Sequence, residues 1–581
     1  MEENKYFHTK EVSILLAGEA GQGIQTLQKI LVNSLRKNYH IYAAKEFMSR
    51  VRGGINSTEI RVAHKRIQAF VDQIDILIPI HKDVMKRKSI LKRINDSTVI
   101  IGDKEIMDEN DLKGYNFVNV PFTKIAKEIG GKIYFNVIAT GMLVGILDIE
   151  QDLVIEVIKN QFQKKSQEII ENNIQAIKKG YEIGNKLEAE EIIVVEIQPE
   201  EDLTHNLILN GSEAIGLGAI AGGCNFISSY PMSPSTGVLV YLSKMSREFE
   251  IVVEQTEDEI SAINMSLGAW YAGARAMVTT SGGGFALMDE SLSLAGMTET
   301  PIVIHVAQRP GPATGLPTRT SQGELQHVLY AGHGDFPRIM LAPGTIEEGI
   351  ELTQLAFNLA DKFQVPVIIL TDQYYVDSFY NLKELDLKKF KNEYHIIETD
   401  ENYKRYKLTE DGISPRGIPG YGKGFVAADS DEHYENGRIT EDHDVRIQMV
   451  QKRLNKLNLL KENIIPPVFT GNKDYKGLVI GWGSTFSIIA EAVKNLKDEQ
   501  LGFLHFKQIY PLHPIIEEYI SKADFTVVIE NNVTGQFSNL IQQEICKKID
   551  YRILKYNGLP FAVEEVETRI KEIIERRKTH D

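Results

Sequence analysis

Pro301-Ile-Val-Ile-His-Val-Ala-Gln-Arg309 runs straight into Pro310-Gly-Pro-Ala-Thr-Gly-Leu-Pro-Thr318, and the join between the two stretches decides the fold. The first is a short, nearly continuous apolar run rich in β-branched residues, the pattern of a strand buried on both faces. Such a strand belongs to a parallel sheet, whose strands are linked by crossover helices. The second stretch is too dense in glycine and proline to continue it. Arg309 therefore stands on the rim at the carboxyl ends of the strands, where open α/β sheets bind ligands. Its planar fork suits a carboxylate bidentately, with Thr314, Thr318 and Thr320 offering hydroxyls nearby; a solvated loop arginine would read the same way locally.

Outward from this strand, apolar runs at 224–228, 250–253, 276–280 and 365–370 alternate with helical stretches between Asn206 and about Tyr380. The alternation predicts a parallel sheet covered on both faces. Upstream, a run at 12–17 ends in Gly18-Glu-Ala-Gly21-Gln-Gly23, after which Ile24, Leu27, Leu31 and Leu35 recur at helical spacing. Runs at 98–101 and 133–137 are expected to continue this βα alternation to about residue 185, and acidic residues 186–202 mark a boundary. From 381 to 470 the composition shifts to Lys, Asp, Glu, Tyr and Gly, and residues 415–424 cannot form a regular element. An ordered excursion with one basic helix near 445–457 is expected there. Gly477-Leu-Val-Ile-Gly-Trp-Gly-Ser484 then opens a last strand-turn-helix unit, with strands at 501–506 and 525–529. The chain thus reads as a multidomain α/β protein with segments 9–190, 203–385, 386–470 and 471–576.

At 581 residues the chain is too long for one core, and 43% hydrophobic with 25% charged residues is ordinary for a globular protein. A formal charge of -15 disfavours nucleic acid or an anionic membrane as the main partner. Two cysteines, Cys224 and Cys546, are too few for a disulfide framework or a four-cysteine cluster, and point to a reducing cytoplasm. No run is long enough to span a bilayer.

Several segments carry chemistry. Gly21 and Gly23 can bring backbone amides at a helix start close to a phosphate, although neither the dinucleotide fingerprint nor a Walker lysine is present; Arg52, in Arg50-Val-Arg-Gly-Gly54, adds a guanidinium suited to coenzyme A or a subunit contact. Each also reads as an ordinary turn or surface loop. In Tyr230-Pro-Met-Ser-Pro-Ser-Thr236, two prolines stiffen a loop that presents the hydroxyls of Tyr230 and Ser233, and Ser235 or Thr236 can equally cap a following helix. Thr256-Glu-Asp-Glu259 has the spacing of a capping box. Small residues from Gly268 to Ala274 would let a backbone or a flat cofactor approach the helix that follows, and Glu259 at its start could face a buried heterocycle and share a proton with it. Ser281-Gly-Gly-Gly284 is another close-approach loop. His327, His333, Asp431-Glu-His433 and Glu441-Asp-His443 complete no metal-ligand spacing.

Taken in order, these segments resemble the alpha subunit of the 2-oxoacid:ferredoxin oxidoreductases, most nearly those acting on 2-oxoglutarate, in the architecture with a gamma-type domain fused ahead. Further agreement lies in Arg405-Tyr-Lys-Leu-Thr-Glu-Asp-Gly-Ile-Ser-Pro-Arg416, Asp431-Glu-His-Tyr-Glu-Asn-Gly437, His505-Phe-Lys-Gln-Ile-Tyr-Pro511 and Glu530-Asn-Asn-Val-Thr-Gly-Gln536. The resemblance implies a gamma domain, a pyrimidine-type thiamine diphosphate-binding domain and a transketolase C-terminal-like domain. It implies CoA-dependent oxidative decarboxylation of a 2-oxo acid with electrons passed to ferredoxin. It places Glu259 on the aminopyrimidine, Arg309 and Thr318 on the substrate, and Tyr230 and Ser233 over the reacting acid. Where the family usually has Tyr-Pro-Ile-Thr-Pro, this chain has Met232 and Ser233. No Gly-Asp-Gly segment is present, so a beta subunit carrying the Mg2+-diphosphate site and the [4Fe-4S] cluster is implied, in an alpha-beta heterodimer or its dimer. A non-oxidative, transketolase-like decarboxylase subunit and a non-catalytic paralogue that binds a beta subunit are the competing readings.

Overall fold

The computed structural model describes residues 6–19, 23–48, 54–200, 203, 206–382 and 384–580. The chain divides into two compact units, residues 1–209 with 378–385, and residues 210–377 with 386–581.

In the first unit, the apolar run at 12–17 becomes the strand Glu11–Glu19, which pairs parallel with Ile76–Pro79 and antiparallel with Ile55–Ala63. Val99–Gly102 and Asn116–Asn119 extend the parallel side, while His40–Glu46 and Phe379–Leu382 extend the antiparallel side. The expected strand at 133–137 is instead a helix, Phe135–Ile146, preceded by a single turn, Lys132–Tyr134. All twelve residues of this helix are buried, so no polar face betrays its period and a short apolar run looks like a strand. It packs on the helix Gln167–Ala189 through facing glycines. A Cβ on Gly180 would lie 2.7 Å from the Met142 amide nitrogen, and one on Gly184 would lie 2.8 Å from that of Ile146.

In the second unit, six strands lie parallel in the order Val252–Gln255, Phe226–Ser229, Ala276–Thr280, Ile302–Gln308, Pro366–Asp372, Ile339–Leu341. Every residue of Ile302–Gln308 is buried, as its composition requires. Gln508–Tyr510 adds a seventh, antiparallel strand from the C-terminal part of the chain. The remainder of that part forms a five-stranded sheet in which Leu501–Phe506, Gly477–Trp482, Phe525–Glu530 and Tyr551–Leu554 run parallel, with Val468–Gly471 antiparallel at one edge.

The excursion between these sheets has one long helix, His443–Glu462, and is fastened by buried charge. Lys452 and Lys456 reach the Glu299 carboxylate at 2.6 and 2.5 Å, and Arg416 and Arg275 share Asp361 at 2.5 and 3.1 Å. Arg405 donates to the Gln364 side chain at 2.8 Å and to the Glu299 carbonyl at 2.7 Å. Burial pushes the Glu299 carboxyl up, but Lys456, Lys452 and Arg405 outweigh it and hold it below the ordinary range. Removing one member of such a cluster leaves an uncompensated buried charge, which is strongly destabilising. The arginines of the 405–416 segment therefore fix an irregular chain that has few backbone ladders of its own.

Candidate active site

Glu259 is the first residue of the helix Glu259–Tyr271, but it is not part of its cap. The cap is Asp258, whose side chain accepts from the Ser261 amide at 2.7 Å, while the Thr256 hydroxyl donates to the Asp258 carbonyl at 2.8 Å. The capping box expected from Thr256 to Glu259 does not form because the helix begins two residues later than that motif requires. Glu259 is thereby released from local work. It is 3% exposed, and its Oε1 is buried without a hydrogen-bond partner. Burial raises its pKa, its own backbone amide opposes the shift, and Asp258 adds to it. A buried carboxyl with one oxygen left without a partner, and inclined to hold a proton, suits a heterocyclic nitrogen that must exchange one.

Facing it is the short helix Gly282–Phe285, which follows the strand Ala276–Thr280. A Cβ on Gly284 would lie 2.5 Å from Glu259 Oε1 and would overlap the Thr280 hydroxyl. A Cβ on Gly282 would overlap the carboxyl of a second acid, Glu324. Gly283 between them has only the Ala313 carbonyl, 3.9 Å from where its Cβ would be. The three glycines thus admit a carboxyl at either end of one turn. The expected close approach at Gly268 is absent: nothing lies within 4 Å of its Cβ position, and the helix ends at Tyr271 before Gly273 turns left-handed at φ 98°.

Arg309 follows the strand Ile302–Gln308 directly and is 9% exposed. Its Nη1 donates to the Ser233 carbonyl at 2.7 Å, and its Nε has no partner. Burial lowers its pKa, with Glu324 opposing. The loop beyond doubles back, Leu316 donating to the Pro310 carbonyl at 3.0 Å, and Gly315 is required there because a Cβ would strike that carbonyl. Thr318 is buried further along the loop, while Tyr230 is 39% exposed. The backbone contact joins Arg309 to the Tyr230–Thr236 segment through Ser233, whose own side chain is exposed. Ser235 lies at the helix cap position, but its hydroxyl donates to the Met232 carbonyl at 2.7 Å.

Three further residues of this rim were not singled out from sequence. Glu324 has its backbone amide held by Gln308 Oε1 at 3.0 Å, and burial pushes its carboxyl up to about 8, against the pull of Arg309. Asp372, in register with Gln308 on the neighbouring strand, is raised to about 6 by burial despite hydrogen bonds from Ser484, Tyr375, Thr320 and Tyr374. Ser484, in the single turn Gly483–Thr485 that follows the strand Gly477–Trp482, donates to the Asp372 carboxylate.

In the first unit, Gly23 is left-handed at φ 78° and its carbonyl accepts the Thr26 and Leu27 amides at 3.0 and 3.1 Å, so it turns the strand into the helix Ile24–Leu35. It borders two cavities, of about 800 and 310 Å3, the larger rimmed by Lys127, Lys132 and Lys165. Gly21 and Arg52 lie outside the described residues. No helix among the described residues is long and apolar enough to cross a membrane.

Comparison with known families identifies the α/β unit that carries Glu259 and Arg309 as a thiamine diphosphate-binding domain. The thiamine diphosphate-binding model of pyruvate flavodoxin/ferredoxin oxidoreductase matches residues 217–452, and the pyruvate ferredoxin/flavodoxin oxidoreductase model matches residues 13–183. The 2-oxoacid:ferredoxin oxidoreductase subunit alpha of Sulfolobus sp is 31% identical across 97% of both chains. The 2-oxoglutarate synthase subunit KorA of Methanocaldococcus jannaschii is 32% identical across 62% of this chain and 98% of its own. The structure of 2-oxoglutarate:ferredoxin oxidoreductase from Magnetococcus marinus, with 2-oxoglutarate, coenzyme A and succinyl-CoA bound, superposes with a TM-score of 0.91 at 30% identity, covering 97% of this chain and 100% of that one. The chain belongs to the alpha subunits of the 2-oxoacid:ferredoxin oxidoreductases, and it is an oxidoreductase with a thiamine diphosphate-binding domain.

Proposed function

We propose that this chain is the alpha subunit of an enzyme that converts a 2-oxo acid and coenzyme A to acyl-CoA and carbon dioxide, passing two electrons singly to ferredoxin. The observation that carries the reading is the buried, partnerless Oε1 of Glu259 beside Gly284, where an aminopyrimidine nitrogen supplies the missing partner. Bound thiamine diphosphate contributes a carbon nucleophile and an electron sink for decarboxylation. Glu259 holds or yields the proton that the pyrimidine exchanges. Arg309 pairs with the substrate carboxylate, Thr318 adds a hydroxyl, and Tyr230 and Ser233 close over the reacting acid. Because the chain has no Gly-Asp-Gly segment and two cysteines, we assign Mg2+ and the [4Fe-4S] cluster to a beta subunit, in an alpha-beta pair or its dimer in the cytoplasm.

Within this reading, residues 9–190 form the gamma-type domain, 203–385 the pyrimidine-type domain, 386–470 a linking arm and 471–576 the transketolase C-terminal-like domain. The Gly23 turn, with Gly21 and Arg52, is assigned to coenzyme A, whose phosphates suit a helix start. The preferred substrate is 2-oxoglutarate, supported by the names of the Methanocaldococcus and Magnetococcus relatives. The test is a panel of 2-oxo acids assayed on the co-purified alpha-beta complex by viologen reduction. Reduction that needs both oxo acid and coenzyme A, fastest with 2-oxoglutarate, is expected. Decarboxylation without dye reduction would favour a transketolase-like decarboxylase, and no turnover of any kind would indicate a structural paralogue.

A further inference from the structure

Arg309 and Glu324 lie close enough to act on each other's ionisation, yet they do not pair. Arg309 spends one nitrogen on the Ser233 carbonyl and leaves Nε without a partner, and Glu324 Oε2 is likewise buried and alone. Both are fixed in place. Arg309 follows a fully buried strand, while Glu324 is held through its amide by Gln308, the last residue of that strand, with its carboxyl seated where only a glycine at 282 leaves room. A built site that keeps an arginine and an acid close, yet unsatisfied, is arranged for a third group.

We propose that Glu324 is a positioning residue for the 2-oxo acid, remaining protonated while the substrate carboxylate occupies Arg309 and competing for that arginine once it ionises. The inference rests on the assignment of Arg309 to the substrate. Among the described residues, the charged groups facing Glu324 are Arg309, from the strand end, and Asp372, from the neighbouring strand; Glu259 sits at the far end of the glycine turn, and the turn itself carries no titratable group. Burial disfavours a charged carboxyl here and Asp372 acts in the same direction, so against the pull of Arg309 Glu324 retains its proton up to about pH 8. An anion bound to Arg309 cancels the one charge that favours ionisation, so substrate binding tightens the hold of Glu324 on its proton. By linkage, substrate affinity then falls as pH rises past this ionisation, by up to about tenfold per pH unit.

The test is the KM for the oxo acid of the intact alpha-beta complex across about pH 7 to 9.5, with coenzyme A saturating so that ionisation of its thiol falls on kcat. In the wild type, KM is expected to climb on the alkaline side. Glu324→Gln should flatten that climb, and Glu324→Asp should restore it. A flat wild-type KM, or an unchanged climb in Glu324→Gln, overturns the proposal. Should Glu324→Gln fail to assemble, the wild-type profile and Glu324→Asp still decide. Arg309→Lys separates the two layers: an unaltered KM there defeats the assignment of Arg309 itself, whereas a raised KM together with a pH slope indifferent to Glu324 defeats only the role given to Glu324.

Discussion

Replacing Glu259 by Gln separates a catalytic carboxyl from a structural one, because the structure assigns the helix cap to its neighbour. The Asp258 side chain holds the Ser261 amide, so Glu259→Gln leaves the cap intact. The orphaned Oε1 becomes an equally orphaned amide, and one unsatisfied buried polar atom replaces another. The net change in stability is then below about 1 kcal/mol, which moves the melting temperature by no more than about 3 °C. The sign also depends on pH. Burial raises the folded pKa of Glu259, so its ionised form costs stability above the ordinary carboxylate value of 4.5, and this penalty accumulates as pH rises towards the folded value. At neutral pH the amide escapes it, so the variant should be equal to or slightly more stable than wild type, with the difference vanishing in acid. The rate behaves otherwise: losing general acid-base help costs about 10² to 10⁴, or roughly 2.7 to 5.4 kcal/mol of barrier. The measurements are melting temperature, thiamine diphosphate affinity and viologen reduction by the assembled complex. Asp258→Ala is the counterpart, expected to lose about 1 kcal/mol of stability while keeping most of its rate. A Glu259→Gln complex that turns over within about threefold of wild type would refute the argument.

Arg309→Lys should raise the KM for the oxo acid about ten- to a hundredfold with a smaller effect on kcat, since a point charge replaces a fork that also holds the Ser233 carbonyl; an unchanged KM contradicts the assignment. The chain expressed alone should fold, by circular dichroism and cooperative melting, yet reduce no dye, and turnover without a beta subunit would break the division of the cofactor proposed above. His305 is fully buried between the Thr279 and Thr371 hydroxyls at 2.7 and 2.8 Å, and burial lowers its pKa from 6.5 to about 3. It remains neutral in the folded chain while the unfolded chain takes up a proton, so stability is lost as pH falls below 6.5, and His305→Gln should lessen the drop in urea midpoint between about pH 7 and pH 5.

Much of the fold was legible because local pattern and burial agree. The run before Arg309 is buried along its whole length, and its abrupt end in glycine and proline places the arginine on the rim without knowledge of any partner strand. Misreadings came where one window supports two structures. Residues 133–137 are apolar in either conformation, and the choice of helix is made by glycines at 180 and 184 that admit the backbone of Met142 and Ile146. Thr256 and Asp258 are both competent caps, and the hydroxyl of the first is diverted to the carbonyl of the second, which no spacing rule foresees.

Glu324 and Asp372 escaped notice for a different reason: an acid in a loop and an acid at a strand end are ordinary in sequence, and their proximity depends on sheet register. Gln308 lies opposite Asp372 because the two longest strands of this sheet pair in parallel from Ile302 with Pro366, and Gln308 in turn holds the Glu324 amide. A slip of one residue would turn the side chains of a strand to the opposite face and separate the acids. The register also fixes their chemistry. Asp372 is held by four hydrogen-bond donors and loses its proton first, at about 6, while Glu324 has none at Oε2 and keeps its proton to about 8. At neutral pH this leaves Asp372 ionised and Glu324 protonated beside Arg309. That balance comes from strand pairing, which explains why motifs point to Glu259 and Arg309 but not to Glu324, the acid that acts on Arg309, or to Asp372 beside it in register.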